Sequence, residues 1–231
     1  MKQRASKCQL CGEVKPLTKE HLPQRALYPK TIRHLVDNLN TVAACAQCNN
    51  ASNVIDELLK VVFGDVAGAA WSDELRASVS ATLAKNERLS RLLEENSRLE
   101  TYQTATGEVR DAKVLSLPKG LTEPVLGAVE RMAKDFYYQT YGRVLVEHYE
   151  ISSFHPDGLH HDLLREIDEG MRRAEIHSIN GDTVRYSFID VNRGDIVCIV
   201  NIYGNLQFYF VLKELGWREK LPNHGAQRGK T

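Results

Sequence analysis

The chain has 231 residues and a mass of 26.1 kDa, which is enough for one large domain or two small ones. Hydrophobic residues make up 42% of it, so it can bury a core, and a disordered or collagen-like chain is excluded. Lys and Arg number 30, and Asp and Glu also number 30, so the net charge is +0. A dedicated nucleic-acid binder is expected to be basic, so the average charge argues against that class.

The charge is unevenly distributed along the chain. Residues 1–50 contain eight basic residues against three acidic ones, a net charge of +5, and the segment from Gly216 onward has a net charge of +3. The middle of the chain is left with −8. A small module that faces a polyanion, attached to an acidic body, is one interpretation of this pattern, and solvated basic termini are the other.

Four of the five cysteines form two Cys-x-x-Cys pairs, Cys8 with Cys11 and Cys45 with Cys48. No secretory signal is recognisable and no window approaches membrane-spanning length, so we expect a cytoplasmic location and no membrane partner. In a reducing compartment, two such pairs predict a structural Zn²⁺ site with four thiolate ligands rather than one redox-active pair. Cys198 lies in an apolar run and is predicted to be a small buried hydrophobic residue.

The segment between the two cysteine pairs carries a recognisable motif. It contains the sequence Thr18-Lys19-Glu20-His21-Leu22-Pro23, and the second pair continues directly into Asn49-Asn50. This order of Cys-x-x-Cys, acidic residue and His, Asn, then Cys-x-x-Cys-Asn resembles the HNH nucleases of the ββα-metal type. It is similar to their zinc-binding, endonuclease VII-like members and to bacterial HNH proteins, over roughly residues 7–60.

The resemblance implies a metal-dependent endonuclease that hydrolyses phosphodiester bonds in DNA, with RNA not excluded. By motif position His21 is the general base, a role that suits imidazole near neutral pH. Glu20 and Asn49 would bind a catalytic Mg²⁺ or Mn²⁺, because these ions prefer oxygen ligands. Asn40 occupies the middle Asn position, which orients the loop that carries the histidine.

Two residues depart from the most frequent family pattern. Many members have Asp or His at the position of Glu20, and the last position is Asn49 instead of His. Asn53 lies one helical turn beyond Asn49 with Asp56 near it, so both are second-choice metal ligands. Helix capping is the alternative explanation for these polar side chains.

Basic residues in the same segment fit contacts with a phosphate backbone, which supply affinity that does not depend on base sequence. A solvated surface is the alternative explanation for each of them. They are Lys15, Lys19, Arg25, Lys30 and Arg33.

The predicted fold class is α+β, with residues 1–63 as the ββα-metal nuclease module and residues 64–231 as a C-terminal region of unknown role. Helical periodicity predicts helices over residues 55–63, 72–101, 123–141 and 160–173, with a linker over residues 104–122. A basic tail follows about residue 213.

The end of the C-terminal region is predicted to be a four-stranded antiparallel meander over residues 174–213. Asn180-Gly181 and Gly204-Asn205 are two-residue hairpin signals between alternating apolar segments. Residues 196–202 are almost continuously apolar, so we expect this strand to be covered on both faces by helices.

Three hypotheses for the function follow. The resemblance favours a DNA endonuclease in restriction, phage defence or a mobile element. The acidic body and the departures at Glu20 and Asn49 leave open a zinc-binding adaptor for nucleic acid or protein that no longer cuts. The third is a nuclease effector controlled by a ligand or partner, and the C-terminal region would bind that partner or a second copy of the chain.

Overall fold

The structure is a computed structural model. It describes residues 6–30, 33, 39–50, 55–65, 72–103, 107–145, 149–154, 161–191, 195–204 and 206–214. Asn53 and the basic tail lie outside the described residues. No helix within those ranges combines the length and the apolar character needed to cross a membrane.

The N-terminal part consists of two short antiparallel hairpins and a short helix. Strands β1 (Ser6–Lys7) and β2 (Val14–Lys15) enclose the first cysteine pair. Strand β3 (Leu17–His21) pairs with β4 (Thr41–Cys45), and helix α1 (Ala46–Asn50) follows β4 directly. The long connection from β3 to β4 contains a single-turn 3-10 helix, Arg25–Leu27. The order strand, strand, helix therefore surrounds the motif residues.

Three helices follow, and one sequence prediction here is wrong. Helix α2 (Asp56–Asp65) is at the predicted place, but the predicted long helix over residues 72–101 is two helices, α3 (Ser72–Lys85) and α4 (Glu87–Asn96). The break occurs at Asn86, whose side chain accepts a hydrogen bond from the Leu89 N–H at 3.0 Å. Asn is a strong N-cap, so it starts a new helix where apolar periodicity alone predicts continuity.

The predicted linker over residues 104–122 is also wrong in part. Residues 97–101, predicted as the end of the long helix, belong instead to strand β5 (Ser97–Gln103), which pairs antiparallel with β6 (Val109–Leu115) inside the predicted linker. Helix α5 (Lys119–Tyr141) starts earlier than predicted, directly after Pro118. The charged and polar side chains of this hairpin concealed the strands, since most of its described side chains are exposed or half-buried. Helix α5 ends, as predicted, at Gly142, which takes the left-handed conformation with φ +64°.

The C-terminal sheet has the strand order β7-β11-β10-β9-β8 within the described ranges and is antiparallel throughout. The four predicted strands are confirmed in the predicted order. The structure adds β7, which pairs with β11 and was not predicted. The strands are β7 (Tyr149–Phe154), β8 (His177–Ile179), β9 (Val184–Asp190), β10 (Ile196–Ile202) and β11 (Leu206–Glu214).

The two turns that were predicted as two-residue hairpins, β8–β9 and β10–β11, are longer than predicted. Ile179 pairs with Val184, so four residues join β8 to β9, and Ile202 pairs with Leu206, so three residues join β10 to β11. Asn180 and Gly181 both have positive φ angles, 54° and 62°, as a hairpin signal requires. The Asn180 side chain is buried and makes tertiary hydrogen bonds, described below, which explains why the turn opens.

Both faces of the sheet are covered, as predicted for β10. Helix α6 (His161–Met171) packs on one face through Ile167, against Val197 and Ile199 of β10. The other face carries Cys198 and Val200 and belongs to a larger core that includes α5 and the N-terminal part. Cys198 is 0% exposed, which confirms its predicted role as a buried hydrophobic residue.

The larger core joins the two predicted domains. It contains Leu22, Tyr28 and Val42 from the N-terminal part, Met132, Phe136 and other residues of α5, and Tyr203 and Phe210 of the sheet region. The boundary predicted between residues 63 and 64 lies inside α2. The division into two domains stays a prediction. In the structure, residues 1–63 share apolar contacts with α5 and the sheet.

We expect Gly170→Ala to destabilise the protein. A Cβ at this position of α6 would lie 2.0 Å from Cγ2 of Ile189, a buried residue of β9, so the helix or the strand must shift. Such overpacking costs about 1–3 kcal/mol of unfolding free energy in denaturant titrations. Gly120→Ala is the matched control, because nothing lies within 4 Å of its Cβ, and its unfolding free energy should stay equal or rise by up to about 1 kcal/mol. Equal values for the two variants would contradict the packing of α6 on β9.

Candidate metal centre and candidate active site

The four paired cysteines converge at one point, which confirms the predicted metal-binding cluster. Cys8 and Cys11 come from the β1–β2 turn, Cys45 ends β4, and Cys48 lies in α1. Their Sγ atoms all lie within 4.8 Å of one another, and those of Cys11 and Cys45 are 4.0 Å apart. A tetrahedral Zn²⁺ with bonds of about 2.3 Å requires Sγ separations of about 3.8 Å, so the cluster fits this ion with a small contraction.

The β1–β2 turn is built for two adjacent thiolates. Gly12 follows Cys11 with φ +77°, and its N–H donates to the carbonyl of Cys8 at 2.8 Å. Gln9 anchors the turn to β4, because its N–H donates to the Ala43 carbonyl at 2.9 Å and its Oε1 accepts from the Ala43 N–H at 2.6 Å. The first pair is therefore fixed beside the strand that supplies Cys45.

The thiols differ in electrostatic environment. Burial raises the pKa of Cys11 and of Cys48. Burial acts in the same direction on Cys8, but hydrogen bonds from the backbone at Cys45, Cys11 and Leu10 outweigh it and lower the Cys8 pKa to about 7. One thiolate is thus favoured near neutral pH, and a bound cation would favour ionisation of the others.

Asn49 is brought against the strand that carries Glu20 and His21. Its Nδ2 donates to Thr18 Oγ1 at 2.6 Å and lies 3.5 Å from the carbonyl oxygen of Lys19. Because side chains alternate along a strand, Thr18 and Glu20 share one face of β3, and His21 projects from the other. The Glu20 side chain is 7% exposed. Among the described residues, the four cysteines are the one group of three or more His, Cys, Asp or Glu side chains that lie close enough together to share a metal ion.

His21 lies at the end of β3 and is half-buried. Its Nδ1 is buried and has no hydrogen-bond partner among the described groups, although the nearby backbone of Asn40 favours the protonated ring. Burial, followed by the positive charges of Arg25 and Arg33, lowers the pKa of His21 below its usual 6.5. The lowered pKa favours the neutral imidazole, which is the state a general base needs.

Asn40 closes the β3–β4 ladder just beyond His21. Its carbonyl oxygen accepts from the Leu22 N–H at 3.4 Å, and its Nδ2 donates back to the Leu22 carbonyl at 3.2 Å. The same Nδ2 donates to Asp135 Oδ2 of α5 at 2.8 Å, and the Asn40 N–H donates to Asn180 Oδ1 at 2.7 Å. Asn180 Nδ2 in turn donates to the Tyr28 hydroxyl at 2.7 Å. The chain next to His21 is thus held by α5 and by the sheet.

Buried polar atoms without a hydrogen-bond partner concentrate around these residues. In the part of the chain that the structure describes, six such side-chain atoms belong to His21, Gln24, Asp56 and Arg131. Burial raises the pKa of Asp56, and the positive charge of Arg131 opposes that rise. A polar interior of this kind is typical of a site for ions or water more than of an apolar core.

Arg131 and Asp135 are candidate functional residues that sequence reasoning missed. Arg131 of α5 is half-buried, and burial lowers the pKa of its guanidinium, while the nearby carboxylates of Glu20, Asp56 and Glu130 oppose that shift. Its positive charge lies near the carboxylate of Glu20, which is the predicted ligand of the catalytic metal. The sequence does contain one indication of their role, because these two charged residues lie beside the buried Met132 and Phe136 on the apolar face of α5.

The predicted phosphate-contact residues are in two different situations. Lys19, Arg25 and Lys30 are exposed. Lys15 pairs with Glu13, and Arg33 donates through Nε to the Tyr28 carbonyl at 2.7 Å, so these two have local partners. The exposed three are the better candidates for contacts with a phosphate backbone.

Comparison of the chain with protein-family models, with curated proteins and with solved structures found no significant match. The proposals below therefore depend on the motif and on the geometry of the residues themselves.

Proposed function

We propose that the chain is a divalent-metal-dependent endonuclease of the HNH type that hydrolyses phosphodiester bonds in DNA, with RNA as a second polymer to test. One observation carries the proposal. Beside a four-cysteine cluster lie a strand that ends at His21, a strand that begins directly after Asn40 and a helix that contains Asn49, in the order of the motif, and Asn49 is hydrogen-bonded to the strand of His21.

His21 would accept the proton of the attacking water. Burial of the half-buried ring lowers the pKa of His21, which favours the neutral imidazole that a general base requires. Glu20 and Asn49 would hold Mg²⁺ or Mn²⁺ through oxygen atoms, with Asp56 as a further carboxylate of the same region. A bound divalent cation supplies charge stabilisation for the phosphate in the transition state.

The zinc-binding cluster would serve the site by holding its parts together. It joins the β1–β2 turn to the end of β4 and to α1, and α1 carries Asn49. Because these short strands and the short helix α1 form only a small core of their own, a metal ion that crosslinks them would contribute much of their rigidity. The exposed side chains of Lys19, Arg25 and Lys30 would contact phosphates, and the acidic remainder of the chain would lie away from the nucleic acid.

A second candidate function is supported by Arg131. Its positive charge beside Glu20 opposes the binding of a cation at that carboxylate, and Glu20 is 7% exposed. Both observations favour a zinc-binding adaptor that binds nucleic acid or protein without cutting. A nuclease effector, in which a partner or ligand moves α5 and with it Arg131, is the third candidate. Restriction, phage defence and a mobile element are the settings we propose for an active enzyme.

The test is cleavage of supercoiled plasmid DNA and of RNA by the full chain, with Mg²⁺, Mn²⁺ or EDTA. We expect nicked or linear DNA with one of the metals and none with EDTA. Glu20→Gln and Asn49→Ala should each lower the rate at least about tenfold, because each removes one oxygen ligand from a transition state that depends on the metal. Glu13→Gln is the matched control, since Glu13 pairs with Lys15 at the surface, and its rate should stay within about twofold.

The same samples separate the alternatives. DNA binding without cleavage under any metal would contradict the nuclease and support the adaptor. Cleavage that appears only after addition of a cell extract or a small-molecule ligand would support the effector.

A further inference from the structure

Helix α5 belongs to the region that the sequence assigns no role, yet it reaches the candidate active site with two charged residues. Asp135 is 0% exposed, and its carboxylate accepts two hydrogen bonds from neutral amides. Oδ2 accepts from Asn40 at 2.8 Å, and Oδ1 accepts from Gln139 at 3.2 Å. A fully buried carboxylate with amide donors alone is costly, so a stabilising role is not a sufficient reason for its presence.

The contact with Asn40 determines the orientation of one amide group. The Asn40 Nδ2 has two hydrogens, and its two acceptors are the Leu22 carbonyl and Asp135 Oδ2. Since both acceptors need a donor, the amide cannot be flipped without loss of both bonds. Asp135 therefore sets which way the Asn40 side chain points, and through it the position of the Leu22 carbonyl.

Leu22 is the residue directly after His21. Its N–H and its carbonyl are both bonded to Asn40, so the backbone on the C-terminal side of His21 is held by a single residue. The chain of contacts runs from α5 through Asp135 and Asn40 to the backbone that carries the imidazole. Tyr186 of β9 is a further titratable neighbour of Asp135, and its ring stacks on Phe136 at a centroid distance of 4.6 Å.

We infer that Asp135 is a positioning residue of the proposed nuclease site, which holds His21 in its productive orientation through the amide of Asn40. The inference rests on the proposed function and extends it, because it makes α5 a working part of the site and not only a scaffold. Burial, opposed by the amides of Gln139 and Asn40, raises the pKa of Asp135 to about 7. The orientation of the Asn40 amide requires an acceptor at this position, which a neutral carbonyl oxygen also supplies.

A double-mutant cycle in the full-length protein tests the inference. Asp135→Leu and Asn40→Ala should each lower kcat about 10- to 100-fold with KM within about twofold, since misplacement of a catalytic group by about 1 Å has effects of this size. The double variant should be no more than about twofold slower than Asn40→Ala alone, because Asp135 acts through Asn40. Asp135→Asn keeps an acceptor and should recover most of the rate.

Gln139→Ala is the matched control, because it removes the other hydrogen bond of the same carboxylate and leaves Asn40 in place. Its kcat should stay within about twofold of the wild type. The inference would be overturned if the reductions in kcat of the two single variants multiply in the double variant. It would also be overturned if Gln139→Ala lowers kcat as much as Asp135→Leu does. If Asp135→Leu does not fold, Asp135→Ala takes its place in the cycle, because it also removes the acceptor of the Asn40 amide. A folded Asp135→Ala with the kcat of the wild type would overturn the inference.

A second readout separates this inference from the proposed function. The NMR signals of the His21 ring, assigned with His21→Ala, should change in chemical shift and titration midpoint in both Asp135→Leu and Asn40→Ala and stay unchanged in Gln139→Ala. An inactive wild type would contradict the nuclease and leave this measurement decisive for the contact chain. Unchanged His21 signals in Asp135→Leu would overturn the inference even if the enzyme cuts.

Discussion

His21→Ala is expected to lower the rate of DNA cleavage about 10²- to 10⁴-fold, the usual contribution of a general base. The loss should be in kcat, since the ring would act on water and not on the binding of DNA. His177→Ala is the matched control, because His177 is a half-buried histidine of a different strand, β8, where it stacks on Tyr186. Its rate should stay within about twofold.

The pH dependence gives the same prediction a second form. A general base works when neutral, so the rate should rise with pH through the pKa of His21 and then level off. Burial and the charges of Arg25 and Arg33 lower that pKa, so the midpoint of the acidic limb should lie below the ordinary 6.5. Arg25→Gln should move the midpoint upward, because one nearby positive charge is lost. Equal cleavage by wild type and His21→Ala would contradict the mechanism.

Cys45→Ser is expected to remove the bound zinc and to unfold the N-terminal part. Elemental analysis should find about one Zn²⁺ per wild-type chain and much less in the variant, since serine is a poor ligand for this ion. Cys45 is 1% exposed and lies in the larger core with Leu22 and Val42, so loss of the metal also loosens apolar packing. A loss of several kcal/mol corresponds to a drop in Tm of about 10 °C or more for a chain of this size.

Cys198→Ala is the control for the loss of a buried thiol. Cys198 is 0% exposed and lies in β10, outside the four-cysteine cluster, so this variant should keep its zinc and lose about 1 kcal/mol from packing. A chelator added to the wild type should reproduce the effect of Cys45→Ser. Zinc content unchanged in Cys45→Ser, or a wild type that is folded and free of metal, would contradict a structural zinc site.

The parts of the structure that depend on neighbours in the chain were predictable. Two residues between the members of each cysteine pair place both thiols on one turn, and the four cysteines do converge. The alternating apolar segments after residue 174 predicted four strands in their correct order, because adjacent strands with short turns pair with each other. Helix α6 and the end of α5 at Gly142 were likewise local.

The errors came where a local signal was weak or where a distant contact decided the outcome. Asn86 ended one helix inside a continuous apolar pattern, and the hairpin of β5 and β6 has too many exposed polar side chains to stand out from a linker. Strand β7 exists because β11 offers it an open edge, which a single strand sequence does not reveal. Asn180 was interpreted as a turn residue, but its side chain bonds to Asn40 and Tyr28.

By itself, the sequence determined the cysteine cluster, the motif that carries Glu20, His21 and Asn49, and the unequal distribution of charge, because these depend on residue type and spacing. The tertiary structure decided what surrounds the motif. It placed Arg131 beside Glu20 and Asp135 against Asn40, about a hundred residues away along the chain. Such partners are set by the packing of α5 against the N-terminal part through a shared apolar core, and apolar burial has no directional code that spacing along the chain could reveal.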